Sequence, residues 1–211
     1  MNVQSMLYLL FFICVGYLSG SVLYIRVAEK IFHLKGLASE SADHNPGAFN
    51  AFKNGGMKAG TLTVLGDIFK GALPVWLYMN LAPDLVSQLW MGLVLAAPVF
   101  GHIYPVFYRF KGGKGIAVSF GVLLGLIPDW TPVLILAFLF LFFSLVLRIH
   151  PDSIKTALVF CFLPVCSWIF RVRFGILVGE LLIMADVLVR LYSENIEVSD
   201  VEIIPFWSKS A

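Results

Sequence analysis

Residues 85–107 read LVSQLWMGLVLAAPVFGHIYPVF and contain no Asp, Glu, Lys or Arg. A helix needs about 20 mostly apolar residues to cross a hydrocarbon core about 30 Å thick, and this stretch is long enough. Lipid offers no water to the backbone, so an apolar run of this length closes its hydrogen bonds as a helix. The pattern recurs along the chain. Clear spans are expected at approximately 5–27, 59–81, 85–107, 131–149 and 172–191, with shorter ones at 115–128 and 154–170. The predicted fold is all-α: a polytopic integral membrane protein of about seven transmembrane helices in one membrane domain, residues 1–211. Residues 192–211 are expected as a short cytoplasmic tail, acidic at first and ending in an amphipathic EIIPFW that lies on the interface.

Composition supports this class. Of the 211 residues 59% are hydrophobic and 13% charged, against roughly 25% charged in soluble domains. A formal net charge of +2 with no basic run argues against a nucleic-acid partner. Cys14, Cys161 and Cys166 sit in apolar stretches without metal-ligand or redox spacing. The N-terminal apolar run lacks a basic leader and a small-residue cleavage site, so it reads as a retained first span.

Lys and Arg set the expected sidedness. The loop from Arg26 to Lys58 also carries Lys30, Lys35 and Lys53; residues 108–114 carry Arg109, Lys111 and Lys114; the next loop on that side carries Arg148 and Lys155. The turns at 82–84 and 129–132 carry none. An external N-terminus puts all three basic loops in the cytoplasm. Arg171 and Arg173 run against this pattern, because their turn is then external.

Two of the basic loops contain candidate chemistry. YRFKGGKGIAVSFG (108–121) combines glycines with Lys114 at the start of an apolar helix. A nucleotide P-loop requires Ser or Thr after its lysine, where Gly115 stands. A helix N-terminus with glycine N–H groups and a lysine still favours an anion, either a lipid head group or a substrate phosphate. The first loop contains SADHNPGAFNAFKNGG (41–56), in which Pro46–Gly47 signals a turn. Asp67 and Lys70 share a helix face inside a span, which marks a functional pair or a structural ion pair. His102 and Tyr104 precede Pro105 at the end of another span.

GYLSGSV, SADHNPGAFNAFKNGG, GDIFKGALPV and FGHIYPVFYRFKGGKGIAVSFG together resemble the bacterial acyl-phosphate:glycerol-3-phosphate acyltransferase family. The resemblance is carried by residues 16–125 and implies a divergent member. Such enzymes have seven spans, an external N-terminus and a cytoplasmic active site in the bacterial inner membrane. They transfer an acyl group from acyl phosphate to the 1-hydroxyl of glycerol 3-phosphate, giving lysophosphatidate, and use no cofactor or metal. The implied catalytic residues are Asp43, His44, Asn45 and Lys114. The implied phosphate-binding residues are Gly47, Asn50, Lys53, Gly112, Gly113, Gly115, His102 and Lys70. In the first motif Lys53 replaces an Arg, Asp43 a Ser, His44 a Gly and Phe49 a Thr; Asp43–His44 can be read as an acid/base pair. In the third motif Arg190 and Leu191 match, whereas Met184, Ala185 and Val187 stand where the family has His, Arg and Asn. The other reading is a relative that binds an anionic lipid or phosphate without catalysis, or acylates another acceptor. A transporter would show an internal repeat, and none is evident.

Overall fold

The computed structural model describes residues 3–37, 45–82, 89–193 and 202–205. Eight α-helices dominate them: α1 (Val3–Gly20), α2 (Tyr24–Ile31), α3 (Ala48–Leu81), α4 (Met91–Ile103), α5 (Ile116–Leu124), α6 (Thr131–Leu141), α7 (Asp152–Ile169) and α8 (Phe174–Tyr192). A π-turn, Phe142–Val146, extends α6. The chain is all-α, as its composition predicts. Among the described residues, four helical segments are long and apolar enough to cross a membrane: Val3–Gly20, Ala48–Leu81, Met91–Tyr108 and Asp152–Ile169. The shorter helices α5 and α6 share the same core, with Val122, Leu123 and Leu136 fully buried.

Lipid tails are as apolar as leucine, so helices in a membrane associate through close packing at small residues. Gly16 and Gly20 present such a stripe on α1, and a Cβ at Gly20 would land on the Pro98 backbone of α4. Gly121 and Gly125 do the same for α5, where a Cβ at Gly125 would come 2.6 Å from the Ala72 carbonyl of α3.

Three helix boundaries depart from the expected ones. The span expected at 5–27 is broken: α1 stops at Gly20 and α2 begins at Tyr24. The break has a polar cause. The Val22 carbonyl, released from helical bonding, accepts a hydrogen bond from Lys70 Nζ at 2.6 Å, and Ser19 Oγ donates to the Lys70 carbonyl at 2.8 Å. Helix α2 is then amphipathic, burying Ile25 and Ala28 against Leu37, Ala51 and Ala59. Helix α3 begins at Ala48, well before the expected 59, and is interrupted at Gly56, whose φ of 73° only glycine adopts readily. Helix α4 ends at Ile103, because Pro105 has no N–H to continue it. Within the tail, Glu202–Ile203 forms a strand paired antiparallel with Ile149–His150.

The anomalous arginine turn also finds its reason. Arg173 Nη2 lies 3.5 Å from Asp129 Oδ2, so its charge is paired across two turns at one end of the bundle.

Candidate active site

A cavity of about 300 Å³ opens where the two glycine-bearing loops meet. Asn45, Gly47 and Phe49 line it from the first loop and the start of α3. Asp67 and Ile68 face it from the middle of α3, His102 from α4, and Lys114, Gly115 and Phe120 from α5 and its approach.

Each side is held by local geometry. A Cβ at Gly47 would meet Asn45 Nδ2 at 2.8 Å, so glycine lets the Asn45 amide fold over its own turn. Asn50 is buried and donates from Nδ2 to the Asn45 carbonyl at 2.7 Å, fixing the loop from below. Gly115 caps α5 with φ of 85°, a left-handed conformation that favours glycine. The first turn of α5 therefore points its N–H groups and the positive end of its dipole at the cavity wall. Lys114 Nζ lies 3.4 Å from Ser153 Oγ, which ties this loop to the start of α7.

Beneath the cavity lies a buried charge cluster. Lys70 Nζ is 2.7 Å from Asp67 Oδ1, 2.8 Å from His102 Nδ1 and 2.6 Å from the Val22 carbonyl. The contact with Asp67 is an ion pair and the other two are hydrogen bonds; an ammonium has no acceptor, so His102 Nδ1 is the acceptor. The ring proton of neutral His102 then belongs on Nε2, beside Gly113. The Asp67 carboxylate also takes a hydrogen bond from the Tyr24 backbone N–H at the start of α2. Asp67, Lys70 and His102 thus join α2, α3, α4 and the turn after α1 into one polar unit.

The expected site residues are not all placed alike. Asn45, Gly47, His102, Lys114 and Gly115 come together on the cavity wall, and Asn50 braces it. Lys70 is 3% exposed, hydrogen-bonded to the Val22 carbonyl and His102 and ion-paired with Asp67, and it does not line the cavity. Gly112 and Gly113 bond within the protein. Their N–H groups donate to the Ile103 and His102 carbonyls, each at 3.1 Å, instead of pointing at an anion. Their missing side chains allow the approach: a Cβ on Gly113 would land on His102 Nε2. Lys53 is exposed on the first turns of α3 and lies away from the cavity wall. Asp43 and His44 lie outside the described residues.

Asp67 was marked by its intramembrane position but not assigned to the site, and it lines the cavity where Lys70 does not. Ser153 carried no sequence signal. In the third motif, Val187 is fully buried in the core where the family has Asn, and Ala185 is exposed. Arg190 donates to Ser193 Oγ at 3.0 Å.

Gly113→Ala is expected to cut activity by about 10²-fold, because a displaced His102 ring shifts the wall by around 1 Å. Steady-state rates, with circular dichroism to check folding, measure this.

A family model described as glycerol-3-phosphate acyltransferase matches residues 10–198. The chain belongs to the glycerol-3-phosphate acyltransferase family. A glycerol-3-phosphate acyltransferase of Ralstonia nicotianae is 36% identical over 88% of this chain and 87% of that protein. One from Bordetella avium is 44% identical over 59% of this chain, a match that spans only 58% of that relative's length. Among solved structures, PlsY, an integral membrane glycerol 3-phosphate acyltransferase crystallised in its glycerol 3-phosphate form, superposes with a TM-score of 0.74 at 25% identity. That match covers 88% of each chain. The third-motif substitutions therefore sit in a chain whose fold and family are those of the acyltransferases.

Proposed function

We propose that this protein transfers an acyl group from acyl phosphate to the 1-hydroxyl of glycerol 3-phosphate, giving lysophosphatidate and inorganic phosphate. One observation carries the reading: Lys114, the α5 N-terminus and the Asn45 amide face the same small cavity as Asp67 and His102. The first three suit a phosphate dianion, since a charge-assisted hydrogen bond is about twice as strong as a neutral one. The last two can orient a hydroxyl. The names of its relatives, and the substrate form of the PlsY crystal structure, point the same way.

In this mechanism the glycerol oxygen attacks the acyl carbonyl carbon, and the carbon–oxygen bond to phosphate breaks. The phosphate leaves with the bonding electron pair. Lys114 and the α5 dipole hold the phosphate of glycerol 3-phosphate and, beside it, stabilise the charge gathering on the leaving phosphate, the kind of effect that dominates many enzymes. The Asp67 carboxylate accepts the hydroxyl proton, and His102 Nε2–H holds the developing oxyanion. Reactants fixed in one cavity also save the entropy of encounter. The lysines and arginines of the loops around it support a cavity that faces the cytoplasm from a bacterial inner membrane, in a chain of seven spans with an external N-terminus.

The test is direct. Purified protein given labelled glycerol 3-phosphate and acyl phosphate is expected to release lysophosphatidate and phosphate in equal amounts. No product under conditions where the folded protein is intact would overturn the reading.

A further inference from the structure

A second and larger recess, about 480 Å³, lies on the outer face of the bundle between α1, α4 and α8. It shares no lining residue with the active-site cavity. Its floor is apolar, built by Ile13, Leu93 and Leu182; Leu93 is more than two-fifths exposed, and Leu182 is partly buried against the core. Its other end is different. Tyr17, Phe100 and Asp186 line it there, within the last two turns of α1, α4 and α8.

That end has the chemistry of a cation site. The Tyr17 and Phe100 rings lie 6.0 Å apart, centroid to centroid. The Tyr17 hydroxyl is anchored by donating to the Tyr104 carbonyl at 3.0 Å, which fixes its ring. Asp186 is half-buried beside them, and among the described residues it has no hydrogen-bond or ion-pair partner. Ionisable groups within membrane helices are costly and normally face a partner. Aromatic faces with a carboxylate recognise ammonium groups.

The depth is right for an amphiphile. Asp186 lies six residues before Tyr192, the end of α8, so it sits about 9 Å inside that end at 1.5 Å per residue. The apolar floor continues deeper still. Free acyl phosphate or any other anionic amphiphile would meet the Asp186 charge. We propose that this groove binds a membrane phospholipid whose head group carries an ammonium, the ammonium resting on Asp186 and the two rings and an acyl chain on the floor. The bound lipid then joins α1, α4 and α8 at the headgroup level, apart from the catalytic cavity.

Native mass spectrometry of the full chain, released from micelles holding equal ethanolamine and glycerol phospholipids, tests this. The wild type is expected to retain the ethanolamine lipid about tenfold over the other, the worth of one desolvated cation–π and carboxylate contact. Asp186→Asn should bring that ratio near one. Leu93→Trp adds bulk at an exposed floor position and should lose both lipids while the far-ultraviolet circular dichroism spectrum stays unchanged. Equal retention by the wild type would overturn the proposal. So would an unchanged ratio in Asp186→Asn, displacement of the lipid by acyl phosphate, or a lipid-free dimer in which a second copy covers the groove.

Discussion

Lys114→Ala is expected to lower lysophosphatidate formation by at least about 10²-fold, the usual cost of removing one charge-stabilising donor from a reacting centre. Among the described residues Lys114 is the lysine that lines the cavity, whereas Lys70 and Lys53 do not. The 3.4 Å contact of Lys114 with Ser153 joins the loop to α7, so helical content and thermal midpoint are measured alongside the rate to separate lost chemistry from lost fold. The comparison with Lys114→Arg sharpens the reading. Arginine keeps the charge but spreads it over a planar fork, so partial activity with a raised KM for glycerol 3-phosphate is expected. A rate unchanged by alanine would move the phosphate site away from this loop.

The second large effect belongs to Lys70. Breaking a fully buried ion pair by removing one partner costs about 3–5 kcal/mol, because the remaining charge is left unpaired. Asp67 and Lys70 are 1% and 3% exposed. Lys70→Met should therefore lower the thermal midpoint in detergent by roughly 10 °C, and activity should fall with it. The double variant Asp67→Asn, Lys70→Met should recover part of the stability but none of the activity, since Asp67 faces the cavity. Recovery of activity in the double variant would remove Asp67 from the mechanism. Unfolding monitored by tryptophan fluorescence, alongside turnover, measures both.

These two lysines also show where the sequence was and was not legible. Long apolar runs betray helices because lipid leaves the backbone no alternative, so the bundle could be read directly. The break after Gly20 could not, because it depends on Lys70 reaching the Val22 carbonyl, a contact across 48 positions of sequence. The GGKG loop announced an anion site, and Lys114 with Gly115 does face the cavity. Gly112 and Gly113 looked like phosphate donors, yet their small size serves to admit the His102 ring and the end of α4. Composition cannot tell a glycine that offers its N–H from one that makes room. Of the two residues on one helix face, Lys70 was the expected phosphate contact and Asp67 was not assigned to the site; which faces the cavity follows only from how α3 rotates against α4. The third motif was legible as a loss, and its consequence is now concrete: the position of an expected amide is filled by Val187 in the core.

The central claim is that this one cavity holds the phosphate of glycerol 3-phosphate. A structure of the protein with glycerol 3-phosphate bound measures it most directly. Phosphate oxygens within about 3 Å of Lys114 Nζ and of the N–H groups opening α5 are the predicted result, the distance of a charge-assisted hydrogen bond. Phosphate bound away from the wall formed by Asn45, Asp67, His102 and Lys114 would contradict it.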